Sequence, residues 1–189
     1  RPDENLRKFD EVAGKRKITL FAGTDAHSNI GFHLFGDDAG NKGLNVKLDK
    51  YKTIFSLARQ HVLIEKDKPL TRENLIQAVN AGRSYIGFDV LAETHGFEFS
   101  ATNGDGGTAV QGDELAAGSN TMLKASFKWP FIVRFLIYRN GEVYASSADT
   151  YSSELEVTIR EPGAYRVEGY LDFLGPPFDK MPWIISNPI

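Results

Sequence analysis

The spacing of apolar residues changes about halfway along the chain, and this change constrains the fold more than any other feature. Over 123–127 and 155–159, apolar residues alternate with polar ones, which is typical of half-buried antiparallel strands. Asn140 and Gly141 lie between two further strand-like runs and predict a type I′ hairpin. Six or seven short strands separated by turns favour a β-sandwich, which we place at residues 93–189.

In the first half of the chain, helical and strand-like stretches alternate instead. Helical spacing occurs at 6–13, 51–60 and 71–81, and apolar runs of strand length occur at 18–22, 61–65 and 84–88. This order predicts a parallel sheet with helical crossovers, so the fold class is α/β followed by all-β. A closed barrel needs about eight strand–helix units. Residues 1–92 are therefore expected to be the tail of a larger α/β domain, whose open edge would favour association with a second copy.

Composition excludes several classes of function. The chain has 22 Lys and Arg against 25 Asp and Glu, so it lacks the basic excess that is typical of nucleic-acid binders. It contains no cysteine, which excludes disulfides, thiolate catalysis and cysteine-bound zinc. No run approaches the ~20 apolar residues of a membrane span. The chain begins at "RPDEN" with neither methionine nor signal-peptide pattern, as expected of the middle of a longer protein, and both a cytoplasmic and an exported location stay open.

The stretch "AGTDAHSN" at 22–29 follows the first strand-like run and carries Asp25 and His27. In α/β barrels, the loops after the strands carry the active site. Carboxylate and imidazole groups are good ligands for zinc, manganese or iron, so the two side chains are candidate metal ligands. The alternative is that Asp25 caps the following segment and His27 makes a surface hydrogen bond.

The hexapeptide "GTDAHS" resembles the last metal-binding motif of the polymerase-and-histidinol-phosphatase (PHP) family. The flanking stretches "FDEVAGKRKITLFA", "LIQAVNAGRSYIGFD", "GFEF", "GDE", "PGAYRVE" and "PWIISNPI" resemble the C-terminal half of stand-alone PHP proteins, in which a β-sandwich follows the catalytic domain. The resemblance implies a distorted (β/α) barrel with two or three divalent metal ions. It also implies hydrolysis of a small phosphate ester by a metal-activated hydroxide, with Asp25 and His27 as metal ligands.

The chain departs from the family in one respect that bears on activity. The family's other ligands come from earlier motifs that begin with a His-x-His pair, and the four histidines of this chain form no such pair. Zinc, manganese or iron is therefore expected in the full-length protein. This segment alone is expected to be inactive and to hold metal only weakly, because catalytic zinc usually takes three protein ligands.

Several further polar residues have both a functional and a structural interpretation. His33, Asp37 and Asp38 follow the motif and could contact a metal ligand or the substrate, although a solvated loop is the favoured alternative. His61 and His95 are expected to be structural. Arg83 invites a phosphate-binding interpretation, but a cation just after a helix complements the helix dipole and can bond to its last carbonyls.

The predicted sandwich offers a second, non-catalytic interpretation of the chain as a binding module for a carbohydrate, a substrate or a protein partner. Its aromatic residues could form a sugar platform, although such residues are more often core: Trp129, Phe131, Phe135, Tyr138, Tyr165 and Tyr170. The acidic and glycine-rich stretch at 102–114 does not match the EF-hand pattern, and we interpret it as a hairpin loop.

Overall fold

A computed structural model describes residues 3–24, 31–36, 42–47, 51–116, 118, 120–128, 131–147 and 153–189, and over these ranges the protein is mostly β. The helices are α1 (Asp3–Ala13), α2 (Tyr51–Ile54) and α3 (Arg72–Ala81), with short 3-10 turns at Asp172–Leu174 and Phe178–Lys180. The strands are β1 (Gly31–Gly36), β2 (Lys42–Lys47), β3 (Arg59–Val62), β4 (Ser84–Gly87), β5 (Phe97–Thr102), β6 (Thr108–Val110), β7 (Met122–Phe127), β8 (Arg134–Arg139), β9 (Glu142–Ser146), β10 (Glu154–Thr158), β11 (Tyr165–Tyr170) and β12 (Ile184–Ser186).

The strands form a six-stranded sheet in the order β3-β4-β12-β11-β8-β9, a four-stranded sheet in the order β10-β7-β5-β6, and the hairpin β1-β2. Every strand pair in the described ranges is antiparallel. The two larger sheets share one apolar core, to which Phe99 and Leu123 contribute from one sheet, and Phe135 and Val167 from the other. This arrangement confirms the predicted antiparallel β pattern and has the common core that a β-sandwich requires.

The predicted hairpin at Asn140 and Gly141 is confirmed. These residues connect β8 to β9 with φ angles of 50° and 94°, the left-handed values that both central positions of a type I′ turn require. The side chain of Asn140 also accepts a hydrogen bond from the backbone N–H of Ala164 at 2.9 Å. The turn is therefore tied to the segment that enters β11.

The prediction of a parallel sheet with helical crossovers is wrong for β3 and β4, which pair antiparallel although α3 lies between them. Of the residues in α3, only Ala78 is buried, so the helix does not cover a sheet face as a crossover helix would. Apolar spacing identifies a helix and a strand but not the direction in which the chain returns. A barrel remnant over 1–92 is not seen in the described ranges, and β3 and β4 join the same sheet as four strands from beyond residue 92.

Two element boundaries also differ from the prediction. The helix predicted at 51–60 ends at Ile54. The run at 18–22 pairs with no strand among the described residues, and side chains bond to its backbone instead. The third helix is confirmed: the Thr71 hydroxyl accepts from the backbone N–H of Asn74, and Gly82 ends the helix with a φ of 76°.

Helix α1 lies on the face of the six-stranded sheet that points away from the shared core. Leu6 packs there with Ile86 and Ile185. Beside them, Arg166 of β11 donates to Asp10 of α1 and to Glu168, each at 2.6 Å. Arg166 is 1% exposed and Glu168 is fully buried, so water does not screen these ion pairs.

We predict that Arg166→Met lowers the free energy of unfolding by about 3–5 kcal/mol, because it leaves two carboxylates buried without their cation. Urea unfolding followed by circular dichroism measures the loss. Lys124→Met is the matched control, because Lys124 pairs with Glu154 and Glu156 on the exposed side of β7 and should shift the midpoint little. Equal shifts in the two variants would contradict a dominant role for the buried pair.

Candidate functional site

The predicted metal ligands Asp25 and His27 fall outside the described residues, and so do Asp37 and Asp38. His33 lies in β1. The structure describes the chain up to residue 24, directly before Asp25. For the candidate site, the structure therefore shows how the segment at 17–24, which leads to the motif, is bonded to the rest of the protein. We call this segment the approach to the motif.

The backbone of Leu20 is bonded by the amide side chain of Asn187, which directly follows β12. The Asn187 Oδ1 accepts from the Leu20 N–H at 2.6 Å, and its Nδ2 lies 3.3 Å from the Leu20 carbonyl oxygen as donor. Two such bonds to one residue reproduce what a neighbouring antiparallel strand makes at a hydrogen-bonded pair. Asn187 is 1% exposed, so these bonds form away from water.

A second amide, from Gln60 of β3, bonds to the same segment. Its Oε1 accepts from the N–H of Ala22 at 3.4 Å, and its Nε2 donates to the carbonyl oxygen of Leu20 at 3.3 Å. The buried hydroxyl of Ser84 accepts from Gln60 at 2.7 Å and from Asn187 at 3.0 Å. Side chains from β3 and from the residue after β12 thus bond to Leu20 and Ala22, and Ser84 of β4 bonds to both of these side chains.

Sequence reasoning missed these three polar side chains. Asn187 lies in "PWIISNPI", a stretch used for the family resemblance without any role for its residues. The available signal was the presence of an amide or hydroxyl in or beside an apolar strand, at Gln60, Ser84 and Asn187. A polar side chain at such a position needs hydrogen-bond partners when it is buried.

The donor chemistry of the motif fits a divalent metal ion, because Asp25 offers a carboxylate and His27 an imidazole. Two ligands are fewer than catalytic zinc usually takes. Within the described ranges, no three histidine, aspartate or glutamate side chains come close enough to bind one ion.

His61 has a structural environment on the sheet face opposite to Gln60. Its Nε2 lies 2.8 Å from the Thr94 hydroxyl, which donates to the carboxylate of Asp89. Its ring stacks on Tyr85, with centroids 4.6 Å apart. Burial raises the pKa of the Tyr85 phenol, and the carboxylate of Asp89 raises it further. These contacts support the prediction that His61 is structural.

Arg83 has structural partners, as favoured over phosphate binding, but they are two carboxylates rather than the last carbonyls of the helix. Its Nε donates to Asp113 at 2.7 Å, and its Nη1 donates to Glu65. These hydrogen bonds raise the pKa of the Arg83 guanidinium, and Arg83 in turn lowers the pKa of Glu65. Backbone N–H groups bond to the carbonyls of Ala78 and Val79 at the end of the helix, which leaves the side chain available to Asp113.

The ion pair between Arg83 and Asp113 lies beside a contact between two glycines. A Cβ on Gly112 would lie 2.2 Å from the carbonyl carbon of Gly82, far inside van der Waals contact. Gly112 also has a φ of 89°, which L side chains rarely adopt. The end of α3 therefore packs backbone to backbone on the turn that follows β6.

The remaining predictions concern the sandwich surface. The favoured core interpretation is confirmed for Phe135, Tyr138, Tyr165 and Tyr170, whose rings are buried and cannot form a sugar platform. Trp129 lies outside the described residues, and Phe131 packs against the shared core.

The stretch at 102–114 includes the β5-β6 hairpin, as predicted. None of the described helices has the length and apolar character needed to cross a bilayer.

Comparison with known proteins adds no assignment. The chain matches no family model, no curated protein and no solved structure. The interpretation of Asp25 and His27 as metal ligands therefore rests on the residues themselves and on the resemblance of the ordered motifs.

We predict that Gly112→Ala lowers the free energy of unfolding by at least about 2 kcal/mol, because it adds a backbone clash to an unfavourable φ angle. The melting temperature, followed by circular dichroism, measures the effect. Gly106→Ala is the matched control, since Gly106 has a similar φ of 83° but nothing within 4 Å of an added Cβ. If both variants melt at the same temperature, the contact between the glycines is not tight.

Proposed function

We propose that this chain is the C-terminal part of a metal-dependent phosphoesterase of the PHP family. In this proposal residues 1–92 are the C-terminal portion of the catalytic domain, with β3 and β4 added to a sheet of the β-sandwich that residues 93–189 build, and Asp25 and His27 bind a divalent metal ion. The order of the motifs along the sequence supports the assignment. So does the position of Leu20 and Ala22, which lead into the motif and are held by hydrogen bonds to the side chains of Asn187 and Gln60.

The approach to the motif is the observation that carries the proposal. Leu20 and Ala22 are partly buried against Leu6, Ile86 and Ile185, and their N–H groups are both bonded by side-chain amides. The chain is therefore fixed on its buried side up to three residues before Asp25. A fixed approach suits a metal ligand, because coordination requires donor atoms at defined positions.

Bound zinc, manganese or iron would lower the pKa of a coordinated water molecule and neutralise charge on the phosphoryl oxygens of the substrate. The chain's own contribution is to supply a carboxylate from Asp25 and a neutral imidazole from His27. Because the family's earlier ligands are absent from this sequence, the two side chains are expected to bind metal weakly and without turnover.

We predict that Mn²⁺ binds at the motif with a Kd weaker than about 1 μM. The measurement is nuclear magnetic resonance of the whole chain during a Mn²⁺ titration, in which paramagnetic broadening is expected to centre on resonances that flank Asp25 and His27. Asp25→Ala and His27→Ala should each remove the broadening, because each deletes one of the two ligands.

His95→Ala is the control for this titration, since His95 is an exposed histidine outside the motif. It should leave the broadening unchanged. Broadening that survives His27→Ala would contradict the proposal. So would sub-micromolar binding that His27→Ala abolishes, because a complete metal site would then exist within this chain.

A further inference from the structure

The segment at 17–24 forms neither helix nor strand, and it has no strand beside it in the described ranges. The backbone groups of such a segment need partners when its side chains are partly buried. Leu20 and Ala22 find them in Asn187 and Gln60, and both N–H groups and the Leu20 carbonyl are satisfied in this way. Two amide side chains thus occupy the place of a neighbouring strand.

An amide side chain can take this place because it carries the same donor and acceptor as a peptide group. Asn187 offers both to one residue, as a strand neighbour does, and Gln60 extends the pattern to Ala22. Asn187 also donates to the Ser84 carbonyl oxygen at 3.1 Å, so its amide is fixed from the sheet side as well. A side chain held in this manner defines both the position and the register of the segment.

We propose that Asn187 and Gln60 are positioning residues for the metal motif. They fix the backbone of Leu20 and Ala22 and, through it, the chain that enters Asp25 and His27. This role rests on the proposed function, in which Asp25 and His27 bind metal. It assigns a role in metal binding to Asn187, which directly follows β12. This residue lies 167 residues beyond Leu20 in the sequence.

The order of the strands explains how the far end of the chain reaches the motif. β12 lies between β4 and β11, near the middle of the six-stranded sheet, and Ile184 packs into the shared core. Asn187 follows directly and is therefore carried by a buried strand. Ser84 of β4 bonds to both amides, so the three polar side chains form one network. Such a network keeps its geometry only while each of these side chains makes its hydrogen bonds.

Asn187→Leu tests the proposal because it keeps the size of the side chain and removes both bonds to Leu20. Hydrogen exchange at the amide of Leu20 should accelerate at least about tenfold, since its N–H loses the Asn187 oxygen that accepts from it. The Kd for Mn²⁺ should rise, but by less than the about 10–100-fold that follows loss of a direct partner of a metal ligand, because Asn187 acts through the backbone of Leu20. Gln60→Met is a milder second variant, because Gln60 is only partly buried, and it should shift both quantities in the same direction.

Ile184→Val is the matched control. It weakens the same strand from the core side and has no contact with the segment at 17–24 in the hydrogen-bond network, so it should leave the Kd for Mn²⁺ unchanged. A rise in Kd that is equal in Asn187→Leu and Ile184→Val would overturn the positioning role and show a general loss of stability. Unchanged exchange at Leu20 in Asn187→Leu would overturn it as well.

Failure of the proposed function has a different signature. In that case His27→Ala would leave the affinity of the chain for Mn²⁺ unchanged, and the positioning of a metal motif would fall with it. If His27→Ala weakens Mn²⁺ binding while Asn187→Leu and Gln60→Met do not, the metal motif stands and only the positioning role is overturned. Both results are read from the same titration and exchange experiments.

Discussion

The ion pairs that Arg166 makes with Asp10 and Glu168 determine what packs on each face of the six-stranded sheet. β11 presents Val167 to the shared core, while Arg166 and Glu168 point to the other face. A buried charged face is unfavourable unless each charge has a partner in good geometry. α1 supplies such a partner in Asp10, and its Leu6 packs on the same face of the sheet. The position of α1, and of the chain that follows it, depends on this interaction.

The segment after α1 is held by a different kind of bond. Here neutral amides replace charges, and they bond to the backbone of Leu20 and Ala22 rather than to another side chain. Backbone groups are present at every residue, so such bonds hold the segment in place but put no demand on which side chains it carries. The residues that lead into Asp25 can therefore stay apolar and pack against Ile86 and Ile185. α1 sets where this segment starts, and the amides set where it ends.

Much of the β architecture could be predicted from local spacing, because an antiparallel strand with one buried face repeats every two residues. Asn140 and Gly141 identified a hairpin for the same reason, since the turn requires two left-handed residues in succession. The direction of β4 relative to β3 could not be predicted, because it depends on where the chain returns after α3. The close contact of Gly82 with Gly112 was hidden for a similar reason, as it joins two turns that are thirty residues apart.

The candidate metal site shows the same division between local and long-range information. Asp25 and His27 could be proposed from eight consecutive residues, because the ligand types and their spacing are local. The support of the approach could not, because Asn187 is a common residue type whose partner lies 167 residues away. A search for ligands alone therefore finds the chemistry of such a motif and misses what aligns it. Since Asn187 is carried by β12 of the sheet that packs on the shared core, the metal motif and the C-terminal β region act as one structural unit in this proposal, and a change in either alters the other.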